Sequence, residues 1–268
     1  MTEVLREFGR RMDSAKDKQD FIDYAKDCMY VLDLGAGTGK MARELSEKWH
    51  VHVDAVDQQF KGDCLDQAGV TYYGMNIIDF LTFYTDKQYN CIILSAILHE
   101  LSNFELAKLS ILLPKVMADN CRILIREPFY DDYFGPVENK DAAKFEALIR
   151  EVVPKKKWEE YLKAVKLSTN CPCPEDWGDE PVDWANLAFT YSYGEENWDR
   201  EIHEYRFARS LNWCKEFFNF DFRPYTYFEV IRRKDEAYRK HFAEAGYPKE
   251  VFDMLKYTGM TVVIDYQK

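Results

Sequence analysis

The sequence from Val31 to Lys40 is VLDLGAGTGK, an apolar run followed by three alternating glycines. A helical pattern comes next, in which Met41, Leu45 and Trp49 recur every four residues and therefore share one helix face. A buried strand, a tight glycine turn and a helix N-terminus together explain the pattern. The glycines allow the backbone to approach a ligand, and the helix N–H groups and dipole favour a polar or anionic group there.

The spacing of the glycines distinguishes between two kinds of nucleotide site. A dinucleotide site of the NAD type would have its third glycine at Lys40, whereas this chain has G-x-G-x-G with Asp33 two residues before the first glycine. A second strand pattern ends at Asp57, about 20 residues beyond the glycines, where a carboxylate commonly accepts ribose hydroxyls. The alternative for Asp57 is a turn or helix-cap acid. The arrangement resembles the first motif of the class I S-adenosylmethionine-dependent methyltransferases, and every motif position matches.

The resemblance implies a Rossmann-like α/β fold with a doubly wound, mostly parallel, seven-stranded sheet. Strand and helix patterns alternate from residue 30 to about 127, as such a sheet requires. Further strands are predicted after Asp57 and near the end of the sequence, at Val70–Tyr73, Tyr89–Ser95, Cys121–Pro128 and Met260–Tyr266. Ligands of parallel sheets bind outside the carboxyl ends of the strands, so the site is expected at that edge.

The cofactor implied by the resemblance is S-adenosylmethionine, with S-adenosylhomocysteine as its product. Many relatives have an aspartate where this chain has Asn76, which removes a charge but keeps a hydrogen-bonding side chain near the adenine. Asp79 is interpreted as the cap of the next helix. The predicted cofactor-binding residues are Asp33, Gly35, Ala36, Gly37, Gly39, Asp57, Gln58, Asn76, Ile77 and Ser95.

Three residues at the predicted strand ends are candidates for proton removal from a methyl acceptor: His99, Glu100 and Glu127. The alternative for His99 is a histidine satisfied at a helix start, and Glu127 has a similar alternative. No metal is predicted. Cys171, Cys173, His203 and Cys214 lack the usual spacing of a zinc site, since Cys171 and Cys173 are separated by one residue only.

Four domains are predicted: 1–29 as an N-terminal helical cap, 30–128 as the cofactor-binding core, 129–233 as an insert, and 234–268 as a helix and strands completing the core. The insert is too long for a loop, and helices are predicted over 141–153 and 202–218. Its stretch from Cys171 to Tyr205 has ten acids, one base and seven aromatics. This stretch is either a solvated acidic face over an aromatic core or a lid on the acceptor pocket.

Composition limits the partners. With 268 residues, 47% of them hydrophobic, the chain can form a sizeable core. It has no run of 18 or more apolar residues, so no membrane-spanning helix is expected. The net charge of −11 argues against a non-specific nucleic-acid binder. The seven cysteines and the absence of an apolar signal sequence favour a reducing cytoplasm.

The first functional hypothesis is methyl transfer to an oxygen or nitrogen atom of a small molecule. The alternatives are a methyltransferase acting on RNA or a protein side chain, and a cofactor-binding partner subunit without catalysis of its own. The basic run Lys155–Lys157 favours RNA, although it is also typical of a solvated helix end. Neither the acceptor nor the oligomeric state follows from the sequence.

Overall fold

The computed structural model describes residues 19–60, 65–67, 69–130, 136–165, 167, 181–205, 209–232, 236–256 and 260–267. The chain forms two compact units. We call one the core unit, made of Met1–Glu127, Lys215–Ile231 and Thr261–Lys268, and the other the helical unit, made of Pro128–Cys214 and Arg232–Met260. The chain therefore passes between the units four times.

One eight-stranded sheet, in the order β3-β4-β2-β1-β5-β6-β8-β7, forms the centre of the core unit. Its strands are β1 Tyr30–Leu34, β2 His52–Val56, β3 Leu65–Gln67, β4 Val70–Tyr73, β5 Tyr89–Ser95, β6 Met117–Glu127, β7 Tyr227–Arg232 and β8 Met260–Tyr266. The Rossmann-like prediction is confirmed. The eighth strand beyond the predicted seven is the three-residue β3, which pairs antiparallel to β4 at the edge.

The central strands are parallel, so their carboxyl ends meet at one edge of the sheet. Strand β1 pairs in parallel with β2 and with β5, while β4 extends the sheet beyond β2 and β6 extends it beyond β5. Val31, Leu32 and Leu34 are fully buried, as are Ile92 to Leu94 in β5. Apolar residues at consecutive positions are expected in strands that are covered on both faces.

The helices beside the sheet are α1 Gln19–Tyr24, α2 Lys40–Trp49, α3 Ile77–Phe83 and α4 Asn103–Leu112, and a 3-10 turn follows at Leu113–Val116. As predicted for α2, Met41 and Leu45 are buried and Trp49 packs against the same cluster. Helix α3 is capped by Asn76, whose Oδ1 accepts from Ile78 N at 2.8 Å, so the prediction that Asp79 is the cap was wrong. Asp79 lies instead in the first turn, where its charge favours the helix dipole.

A charged network lies inside the core unit around Asp54, which is 1% exposed. Asp54 Oδ2 accepts from Lys87 Nζ at 2.7 Å and from the Tyr89 hydroxyl at 2.5 Å, and its Oδ1 lies 3.3 Å from His52 Nε2. Burial and the hydrogen bond to Asp54 raise the pKa of Tyr89 far above its ordinary value. Burial opposes the charge on Lys87, but its hydrogen bonds to Asp54 and Tyr73 outweigh it and raise the pKa.

The helical unit contains α5 Asn139–Val152, α6 Lys155–Val165, α7 Pro181–Ser192, α8 Trp198–Glu201, α10 Glu236–Glu244 and α11 Lys249–Met254, and α9 Leu211–Phe217 spans the boundary between the units. Helix α7 packs against α5, α8 and α10. Its residues from Ala185 to Thr190 are nearly all inaccessible, and the Phe189 ring meets those of Tyr238 and Phe242 at right angles. In the described part of the acidic stretch, the buried aromatic side chains are Trp184, Phe189, Tyr193, Trp198 and Tyr205.

The observed bounds differ from the predicted ones in three places. Residues 215–231 belong to the core unit because β7 joins its sheet, and the predicted C-terminal core helix belongs to the helical unit, where Phe242 packs on Phe252. The predicted helix 202–218 was too long, since among the described residues of that range only Leu211–Phe217 is helical. Residues 1–18, which hold most of the predicted N-terminal helix, lie outside the described residues. So do Cys171 and Cys173. No helix in the described ranges has the length and apolarity to cross a bilayer.

Candidate active site

The loop between β1 and α2 carries the three glycines in left-handed conformations. Gly35, Gly37 and Gly39 have φ angles of 76°, 57° and 70°, which side chains disfavour. The loop is fixed to β2, because Gly35 N and Ala36 N both donate to the Val56 carbonyl, at 2.9 and 3.1 Å. Gly39 N donates to the Ala36 carbonyl at 2.9 Å, which closes the turn before α2 begins.

The space beside each glycine explains its place. A Cβ on Gly39 would lie 2.5 Å from a ring carbon of Tyr72, so packing alone demands glycine there. Arg43 supports the same turn, donating to the Thr38 carbonyl and to the Tyr72 hydroxyl, each at 3.1 Å. A Cβ on Gly37 would meet no other atom within 4 Å, so the backbone at Gly37 borders open space that a ligand can occupy.

Asp57 follows β2 and holds the glycine loop from the side. Its Oδ2 accepts from Gly37 N at 2.8 Å, and its Oδ1 accepts from Gln59 N at 2.8 Å. A carboxylate offers about four acceptor positions, so these two bonds leave capacity for two further donors. The carboxylate is half-buried, and it lies beside the open space next to Gly37.

The other predicted cofactor residues take different positions. Asp33 is fully buried within β1, whereas Gln58 is exposed just after Asp57. Asn76 is half-buried and uses its side chain as the α3 cap, with the buried Ile77 beginning the helix. Ser95 is half-buried at the last position of β5. The strand ends thus bring Asp57, Asn76 and Ser95 to the edge of the sheet that carries the glycine loop.

His99 and Glu127 form a buried pair at the ends of β5 and β6. His99 is 6% exposed and Glu127 is 3% exposed, and His99 Nδ1 lies 2.7 Å from Glu127 Oε2. Glu127 Oε1 also accepts from Ile97 N at 2.6 Å and from Leu98 N at 2.5 Å. Because an ionised carboxylate can only accept, His99 Nδ1 is the donor in this hydrogen bond.

The third predicted proton acceptor, Glu100, is exposed beside this pair, and its backbone N–H donates to the Ile97 carbonyl at 3.1 Å. Sequence reasoning missed three residues that shape the site: Arg43, Tyr72 and Ile97. Nothing in their spacing indicates these roles, since each depends on contacts between elements distant in the chain.

A cleft of about 740 Å³ lies elsewhere in the core unit, lined by α1 and by residues of β6, β7 and β8. Four of its lining residues pair with one another: Arg122 donates to both Asp265 oxygens, at 2.6 and 2.9 Å, and the Tyr24 hydroxyl donates to Glu229 Oε2 at 3.3 Å. None of the predicted site residues lines this cleft. The carboxyl edge, where those residues lie, is therefore the candidate active site.

Comparison with known proteins gives a consistent result. A family model described as a methyltransferase domain matches residues 6–223. The plantazolicin methyltransferase BamL, solved with a triazolic desmethylPZN analogue and SAH, has 13% identity and a TM-score of 0.53, with 99% of this chain and 90% of that chain covered. The plantazolicin methyltransferase BpumL, solved with a monoazolic desmethylPZN analogue and SAH, has 10% identity, a TM-score of 0.51 and the same two coverages. A search of curated protein sequences found no match.

Proposed function

The chain belongs to the methyltransferase-domain family, and from that premise we propose that it methylates an oxygen or nitrogen atom of a small molecule. It is an S-adenosylmethionine-dependent methyltransferase. S-adenosylmethionine supplies an activated methyl group on a sulfonium, so the protein has to bind it, position the acceptor and manage the acceptor's proton.

The residues around the glycine loop fit this cofactor. The open space beside Gly37 lets a ligand approach the backbone closely, which a Cβ at that position would hinder. Asp57 keeps acceptor capacity for two hydroxyl donors after its bonds to Gly37 N and Gln59 N, which suits the two ribose hydroxyls. In this proposal Asn76 and Ile77 lie at the adenine, and Ser95 borders the same pocket.

The observation that carries the acceptor chemistry is the buried pair of His99 and Glu127. Glu127 fixes the tautomer in which Nε2 bears the lone pair. In the proposal, His99 Nε2 takes the proton that an O–H or N–H acceptor loses on methylation and later releases it to water. Glu127 is too enclosed by its three hydrogen bonds to act as the base itself, so it orients His99.

Location and partners form part of the same proposal. Cys28, Cys91 and Cys121 form no disulfide among the described residues, which supports the reducing conditions of the cytoplasm. The net charge of −11 supports a small-molecule acceptor over a nucleic acid, because a phosphate backbone would be repelled.

The test is transfer of a tritiated methyl group from S-adenosylmethionine to cell extract separated into small molecules, RNA and protein. We expect label in the small-molecule fraction. His99→Asn should reduce turnover at least 100-fold, within the range that general base catalysis contributes, and should leave the affinity for S-adenosylhomocysteine within threefold. Label confined to RNA or protein, or full turnover by a folded His99→Asn, would contradict the proposal.

His50→Asn is the matched control. His50 is exposed at the end of α2 with a φ of 55°, a conformation that asparagine adopts readily. The same substitution there should change neither turnover nor affinity.

A further inference from the structure

The segment after β5 has a strained backbone that is held from outside. Ala96 has a φ of 56°, in the left-handed region that residues with a Cβ disfavour. Its N–H donates to the Arg126 carbonyl at 2.8 Å. The next two N–H groups, of Ile97 and Leu98, both donate to Glu127 Oε1. Such a conformation persists only where surrounding contacts hold it.

The same segment touches the glycine loop. A Cβ added to Gly35 would lie 2.9 Å from Ile97 Cγ1, so the Ile97 side chain packs directly against the backbone at Gly35. Glu127 therefore contacts two parts of the site through one carboxylate. Oε1 sets the backbone that carries Ile97 to Gly35, and Oε2 sets the ring of His99.

We propose that Glu127 is a positioning residue that couples the cofactor loop to the base: Oε1 holds Ile97 against Gly35, and Oε2 orients His99. The part of the proposal that concerns His99 rests on the proposed function, in which His99 is the base. Its two halves are separable, because each oxygen serves one of them.

Two substitutions distinguish the halves. In Glu127→Gln the amide oxygen still accepts from Ile97 N and Leu98 N, but the amide nitrogen donates and cannot accept from His99 Nδ1. In Glu127→Ala both functions are lost. Glu127→Gln should therefore bind S-adenosylhomocysteine within threefold of the unmodified protein, whereas Glu127→Ala should bind it at least tenfold more weakly.

The effect of Glu127 on the His99 ring can be measured without turnover. Nitrogen-15 NMR of the histidine rings reports which ring nitrogen carries the proton, so the Nδ1–H form of His99 should be lost in both variants. Glu47→Gln and Glu47→Ala, at an exposed position of α2, are matched controls that should alter neither reading. Because neither measurement needs an acceptor, the inference can survive or fail whatever the acceptor is.

A further variant covers the case in which Glu127→Ala does not fold. Ile97→Ala keeps the N–H donors but removes the side chain next to Gly35, so cofactor affinity should fall at least threefold while the His99 tautomer stays unchanged. Unaltered affinity in a folded Glu127→Ala, or in Ile97→Ala where Glu127→Ala does not fold, would overturn the proposal. An unchanged His99 tautomer in Glu127→Gln would also overturn it.

Discussion

Replacing Asp57 by alanine should weaken cofactor binding and also destabilise the fold. Two of the four acceptor positions of the carboxylate are occupied by Gly37 N and Gln59 N, so two remain for the ribose. Hydrogen bonds to a charged group contribute about 1.5–3 kcal/mol each, which gives about 3–6 kcal/mol for two. At 1.4 kcal/mol per tenfold, the affinity for S-adenosylhomocysteine should fall about 10²- to 10⁴-fold.

The same substitution also has a stability cost. It removes two backbone hydrogen bonds to the same charged carboxylate, at about 1.5–3 kcal/mol each, so the free energy of unfolding should fall by about 3–6 kcal/mol. Calorimetric titration measures the affinity, and denaturant unfolding without ligand measures the stability. Asp79→Ala is the matched control, because Asp79 is an exposed acid in the first turn of α3 and should leave affinity unchanged.

A ligand comparison separates direct contact from loop damage. An analogue of S-adenosylhomocysteine without the two ribose hydroxyls should bind the unmodified protein weakly. Asp57→Ala should bind both ligands equally, because the preference between them depends on the carboxylate. If the folded variant still prefers the hydroxylated ligand by the full margin, Asp57 serves the turn alone and the ribose assignment is wrong.

Two further predictions concern the glycine loop and the core. Gly39→Ala should lower the free energy of unfolding more than Gly37→Ala does, since the Cβ at position 39 meets an aromatic ring in addition to backbone strain of about 1–3 kcal/mol. Gly37→Ala should instead lose more cofactor affinity. Denaturant unfolding and ligand titration check the two predictions, and the reverse order would contradict them. Asp54→Ala should destabilise by about 3–5 kcal/mol by leaving Lys87 and Tyr89 without their acceptor. Folding raises the pKa of both Lys87 and Tyr89, so the stability that these groups contribute is present below about pH 10 and is lost at higher pH. Between pH 8 and pH 11, the free energy of unfolding should therefore fall less in Asp54→Ala than in the unmodified protein.

Much of the core unit follows from local sequence. Strands β4, β5 and β8 match their predicted bounds, and β2 ends at Val56, one residue before the predicted Asp57, because buried strands give apolar runs that are easily recognised. The helix cap was misassigned because Asn76 and Asp79 are both good cap residues, and only the backbone conformation distinguishes them. The start of β6 was placed at Cys121 rather than Met117, since polar residues at its beginning interrupt the apolar run.

The contacts that build the site are less predictable. Glu127 accepts hydrogen bonds from Ile97, Leu98 and His99. These contacts form because the ends of β5 and β6 are neighbours in the sheet, and the spacing of residues in one sequence does not specify which strands are neighbours. The division into units was also beyond local patterns. The predicted bounds assumed one continuous insert, but the apolar face of α10 packs in the helical unit although its sequence lies beyond residues of the core unit.

The strand order has a consequence for folding during synthesis. Strand β8 lies between β6 and β7, yet it is made only after the whole helical unit has been synthesised. Until then β6 is an unpaired edge, the kind of surface that recruits other chains and leads to aggregation. A nascent chain thus passes through a stage in which the parallel half of the sheet exists with an open slot. A separate peptide with the sequence of Met260–Tyr266 has the shape to fill that slot, much as a donated strand completes a pilin subunit.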